Sequence, residues 1–193
     1  ILKSLEREWD KRSESTTEKQ LTLLGQILFV SIMIGCFMVY LALFRYDYYQ
    51  KKSSLSLLFF LMIFFPIITS VIVSNNLFSV YAVPFAMLPM IIRIFLDSRT
   101  AFMAHIVSIM LCSILLRTPH EFILLQTVAG IVGIHSLREL SQRSQLMRSA
   151  LFIFMSYSLT YLSLDLIHVG EIEQLSTQMY ILFGVNAILL LFT

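Results

Sequence analysis

The chain has 193 residues, 58% of them hydrophobic and only 13% charged, with a net charge of +2. Soluble domains run nearer roughly 45–50% apolar and ~25% charged, so a water-soluble enzyme fold is excluded. The small net charge gives no footprint for nucleic acid. A mean hydropathy of +0.81 makes lipid the solvent that this composition suits.

Residues 1–20 are polar and mixed in charge. Leu5, Trp9 and the spacing of acids and bases suit a helix leading into the membrane, with Ser13 to Thr17 interrupting the pattern. The segment reads as the tail of an extracellular domain, or a juxtamembrane helix. The chain opens at Ile1 and ends at Thr193 inside an apolar run, so both ends are expected to continue into a longer parent.

Seven apolar runs follow: Leu21–Phe44, Leu55–Val73, Leu77–Leu96, Ala101–Leu116, Glu121–Leu137, Ser149–Ile167, and a seventh from about Leu175 to the end. About 20 residues at ~1.5 Å each cross a ~30 Å hydrocarbon core. Backbone polar groups in lipid must be satisfied within the chain, and these runs are continuously apolar rather than alternating, so helices are expected and a barrel is not. The sequence predicts an all-α membrane protein, residues 21–193 forming a bundle of about seven transmembrane helices. Cys36 and Cys112 each lie inside an apolar run and are expected to be buried thiols rather than a disulfide.

Loop charges predict the orientation. Alternate loops carry Arg45, Lys51 and Lys52; Arg93 and Arg99; and Arg138, Arg143 and Arg148. The other set carries only Arg117. The basic set is expected to be cytoplasmic, with the N-terminus outside and the C-terminus inside.

The third run, with Pro84 and Pro89, is expected to be a kinked or broken helix and is the candidate hinge. Each proline removes a helix hydrogen bond that neighbouring helices must repair. Arg93, Asp97 and Arg99 follow as candidate contacts for a cytoplasmic domain. Arg93 and Asp97, four apart, are expected to share a helix face and pair. His105, His135 and Asp165 form a candidate intramembrane polar site, since ionisable groups are costly there. Gly130 and Gly133 suit close helix approach. The polar segment Arg138–Arg148 reads as a basic loop or a short surface helix. Among Tyr residues, Tyr40, Tyr46, Tyr48 and Tyr49 suit an interfacial belt. No His or Cys pair has metal-ligand spacing, and no GxSxG, HExxH, GxGxxG or Walker pattern occurs, so no catalytic residue, metal ligand or cofactor is assigned to this chain.

The run Tyr81–Arg99, with its prolines and its closing Leu96-Asp97-Ser98-Arg99, resembles the membrane domain of bacterial 7TM-HD receptors, as do the basic segment Arg138–Arg148 and the span after it. The family's best-known members are cyclic-di-AMP phosphodiesterases of the PgpH type. The resemblance covers residues 21–193. It implies a multi-pass protein of the bacterial inner membrane with an extracellular sensor domain for an unknown ligand. It further implies a cytoplasmic HD hydrolase using divalent metal ions, and is compatible with a homodimer. Its partners are then the bilayer and its own outer and inner domains. A small-molecule-binding membrane subunit of a transporter is the alternative, and an intramembrane enzyme lacks a nucleophile or base to support it.

Overall fold

The structure, a computed structural model, describes residues 2–137, 143–168 and 177–191. Among the described residues there is no strand. The helices are α1 (Leu2–Phe44), α2 (Tyr46–Gln50), α3 (Lys52–Asn75), α4 (Met87–Phe95), α5 (Ser98–Ser113), α6 (Pro119–Ser136), α7 (Arg143–His168) and α8 (Thr177–Leu191), with a 3-10 turn at Val80–Ala82. Every apolar run of the sequence therefore carries helix. Among the described residues three stretches are long and apolar enough to cross a membrane: Glu18–Phe44, Lys52–Asn75 and Leu146–Ile167.

Helix α1 runs without a break through Ser13–Thr17, where the sequence suggested an interruption. The reason is energetic. Serine and threonine cost roughly half a kcal/mol each in a helix, and α1 contains no proline. Farther along, the hydroxyls of Thr22 and Ser31 donate to the carbonyls of Glu18 and Ile27, one turn back. Among the described side chains of α1, Phe37 and Leu41 are the buried ones. Cys36 faces outward and Cys112 is buried, both free thiols. The expectation that both are buried fails for Cys36 because, among the described residues, no helix covers the α1 face it occupies.

Helix α3 contains Pro66. It ends on Asn76 in the left-handed conformation (φ 48°). The Leu77 amide donates to Ile72 and the Asn76 amide to Val73, the Schellman pattern that satisfies the last carbonyls of a helix.

The two prolines lead us to expect a kinked or broken helix in the third run, and the run is broken. The 3-10 turn is followed by an irregular stretch at Val83–Ala86 and then by the nine-residue α4, about 13 Å long. Pro84 lies outside any helix, and Pro89 is the third residue of α4. Neither removes a bond from a helix interior, because the first turn of a helix has no internal acceptor for its amides. Leu96 then leaves helical geometry (φ −127°, ψ −108°). The basic segment also differs: Arg143–Arg148 is the first part of α7, and residues 138–142 lie outside the described residues.

Two adjoining apolar clusters form the core. One joins α1, α3, α4 and α5 with Phe122 and Ile134 of α6. The other is centred on α6, α7 and α8. Phe85, in the irregular stretch, packs against Phe65 (centroids 5.4 Å) and edge-on against Phe122 (5.1 Å, 83°). Phe85, Ala86 and Leu88 are all buried, so the break lies at the centre of the bundle. The outer faces carry exposed Leu24, Ile27, Phe60, Leu151, Leu159 and Ile188. Water would not tolerate such a belt, and a bilayer covers it.

Candidate functional site

Breaking a helix at the centre of an apolar bundle leaves backbone groups that must find partners there. The local turn meets part of the demand. Ala82 and Val83 amides donate to Ser79 and Val80 carbonyls, Phe85 to Val83, Met87 to Pro84, and Leu88 to Phe85. The carbonyls of Tyr81 and Val83 are met from the far end of the chain. The side-chain amide of Asn186, on α8, donates to both, at 3.1 and 2.8 Å. Asn186 is fully buried, so this one side chain ties the last described helix to the break in the third run.

The same region holds further buried polar groups. Tyr157 of α7 donates its hydroxyl to the Gln126 side-chain oxygen on α6, and Tyr157 also lies beside Asn186. His105 of α5 donates from Nε2 to the Gln126 backbone carbonyl at 2.9 Å, which puts the proton of the neutral ring on Nε2. The ring sits in a notch of α6 left by Gly130, where an added Cβ would overlap it. At Gly133 an added Cβ would make only ordinary contacts, with Met90, Ile153 and Ala86. Close helix approach therefore depends on Gly130.

Four helices and the break are thus linked by His105, Gln126, Tyr157 and Asn186, each fully buried. His105 Nδ1, Gln126 Nε2 and Asn186 Oδ1 are buried without a protein hydrogen-bond partner. These atoms give the network spare bonding capacity, hence room for an alternative set of bonds. The arrangement supplies hydrogen bonds between neutral groups and contains no nucleophile paired with a base. Among the described residues no group of three or more His, Cys, Asp or Glu is placed to hold a metal ion.

The remaining candidates are distributed differently from the sequence expectation. Asp97 does not pair with Arg93. The helix ends between them, so four-residue spacing no longer puts them on one face. Arg93 occupies the last turn of α4, where a cation suits the helix dipole. Asp97 instead caps α5, accepting from the Arg99 and Thr100 amides, and forms a 2.7 Å ion pair with Arg45. That carboxylate holds the Arg45 guanidinium more firmly protonated than a free arginine. The pair clamps the α1–α2 junction to the α4–α5 junction. We expect Asp97→Ala to destabilise by about 1–2 kcal/mol through the lost cap. Arg45→Ala should cost less, because it removes only a partly exposed pair. Unfolding in mixed detergent micelles would measure both, and equal losses would show that the cap adds nothing.

His135 is exposed at the end of α6, its Nδ1 donating to the Ile131 carbonyl at 2.9 Å. It shares a surface groove with exposed Arg99 and does not join His105. Asp165, half-buried in α7, forms no ion pair with Arg117 among the described residues and acts electrostatically on Tyr161. The His168 side chain lies outside the described residues. Among the described residues His105 is linked not to His135 or Asp165 but, through Gln126, to Tyr157 and Asn186.

A model of the family described as 7TM receptor with intracellular HD hydrolase matches residues 20–193. No curated protein and no solved structure matches the chain.

Proposed function

We propose a function from one premise: the chain belongs to the family of 7TM receptors with an intracellular HD hydrolase. In our reading it is the membrane domain through which an extracellular sensor domain governs a cytoplasmic HD-type cyclic-dinucleotide phosphodiesterase. The seven passes would be α1, α3, the broken run ending in α4, and α5 to α8. The basic loops then face the cytoplasm of a bacterial inner membrane, with the N-terminus outside. The divalent metal ions expected for the hydrolase belong, in this reading, to the HD domain, and no residue of the bundle is assigned to them. Residues 1–20 would join the bundle to the outer domain.

The observation that carries the proposal is the broken helix held by Asn186. A signal must bias one discrete packing against another. A continuous helix offers few such alternatives, whereas an irregular stretch held by a few side-chain bonds offers them at modest cost. Helix α4 runs from that stretch to the junction that Arg45 and Asp97 clamp. A displacement at the break therefore has a rigid element to carry it across the bundle.

The test uses the whole parent protein in lipid vesicles, with cyclic-di-AMP hydrolysis as readout. Removing the outer domain is expected to change the rate of the wild-type protein. In the Pro84→Ala, Pro89→Ala double variant the rates with and without the outer domain should converge, while the isolated HD domain keeps its own rate. A double variant that responds like wild type would remove the break from the signalling path. An unresponsive wild type would leave the bundle as an anchor.

A further inference from the structure

A cavity of about 360 Å³ opens at the end of the bundle away from the Arg45–Asp97 clamp, between the end of α3, the 3-10 turn and the loop joining α5 to α6. Small-molecule sites span ~300–1,000 Å³, and the reading above gives this one no role. Ile72, Phe78 and Leu116 supply apolar wall, while Ser79, Tyr81 and Arg117 supply polar wall. Arg117 is exposed and makes no ion pair among the described residues. Glu121, in the first turn of α6, lies within electrostatic reach of Tyr81. An exposed cation at the rim of an apolar cavity suits an anionic head group on a hydrocarbon body.

We propose that this cavity binds a small amphipathic anion. Its carboxylate or phosphate head sits against Arg117 and the Ser79 hydroxyl, and its short hydrocarbon body against Ile72, Phe78 and Leu116. Tyr81 links the cavity to the break, since its backbone carbonyl is one of the two that Asn186 holds. An occupant therefore touches the segment that the buried network fixes. The consequence for signalling rests on the function proposed above, whereas binding itself does not. Such a head group reaches this position either as a dissolved metabolite or on a membrane lipid.

The experiment is calorimetric titration of the purified chain in phosphatidylcholine nanodiscs with octanoate, octyl phosphate and octanol, corrected against protein-free discs. Both anions are expected to bind saturably at one site and octanol to show partition only. Arg117→Gln should weaken anion binding about tenfold, in keeping with the loss of a charge-assisted contact. Arg99→Gln, at the other end of the bundle, should leave it unchanged. Identical isotherms for wild type and Arg117→Gln, or octanol binding as tightly as octanoate, would overturn the site. Repeating the titration in discs containing phosphatidylglycerol separates the sources. Loss of octanoate binding beyond the change in protein-free discs marks an anionic lipid as the occupant, and retained binding marks a dissolved one. The titration involves no hydrolase, so loss of regulation in the parent protein and loss of binding here are separate results.

Discussion

Asn186→Asp is expected to destabilise the bundle by about 2–4 kcal/mol, although the two side chains have nearly the same shape. The amide donates to the Tyr81 and Val83 carbonyls. A carboxylate has no proton to give and would place an oxygen against both. The Val83 carbonyl keeps the Phe85 amide as donor, whereas the Tyr81 carbonyl loses the one that Asn186 gives it, and a buried acceptor in that state costs about 1–3 kcal/mol. Polar contacts within membrane bundles are worth less, roughly 0.6–2 kcal/mol, because the unfolded chain in lipid also finds partners. Asn186→Ala loses the same bonds without adding charge, so it should fall about 1–3 kcal/mol below wild type. Reversible unfolding of the detergent-solubilised chain against increasing sodium dodecyl sulfate would rank the three proteins. Wild-type stability in the Asp variant would mean that the break holds itself and that α8 is only packed beside it.

That dependence explains why the third run was only partly legible. Two prolines five residues apart announce irregular backbone, and the structure is irregular there. Two carbonyls of the break are met by a side chain more than 100 positions away, and no local pattern contains that information. The error over Arg93 and Asp97 has the same origin, because the pairing assumed a helix that stops at Phe95. Arg45, the actual partner, is 52 residues from Asp97.

Other parts of the fold were open to reading. Each apolar run carries helix because lipid leaves the backbone few ways to satisfy its polar groups, so composition alone carries that conclusion. Gln126 and Asn186 also left a signal: each is a lone amide inside an apolar run, where it must find a partner on another helix. Ionisable groups stand out more strongly than these amides in such runs. Tyr157 left no comparable signal, since tyrosine is ordinary in such helices. His105 and His135 look alike in sequence, and burial separates them: the first is enclosed by α6 and the second sits at its exposed end.

The enclosure of His105 gives the second large effect. Gly130→Ala should cost about 1–3 kcal/mol, the usual penalty for overfilling a packed site. Its new methyl would occupy the space of a fully buried ring that cannot swing into solvent. His105→Ala should cost a similar amount by emptying that space, yet the Gln126 carbonyl it frees lies within a helix and keeps its backbone partner. The two losses should not add. In the double variant the methyl introduced in place of the Gly130 hydrogen no longer meets a ring and fills part of the void, so stability should exceed the additive expectation by about 1 kcal/mol or more. Strict additivity in unfolding would mean that helix α6 moves aside for the methyl, and the notch would then not fix how α5 meets α6. Strong coupling would show that α5, which begins at the Asp97 clamp, is registered against α6 by one imidazole in one glycine notch. That registration gives a disturbance at the break a fixed surface to act against.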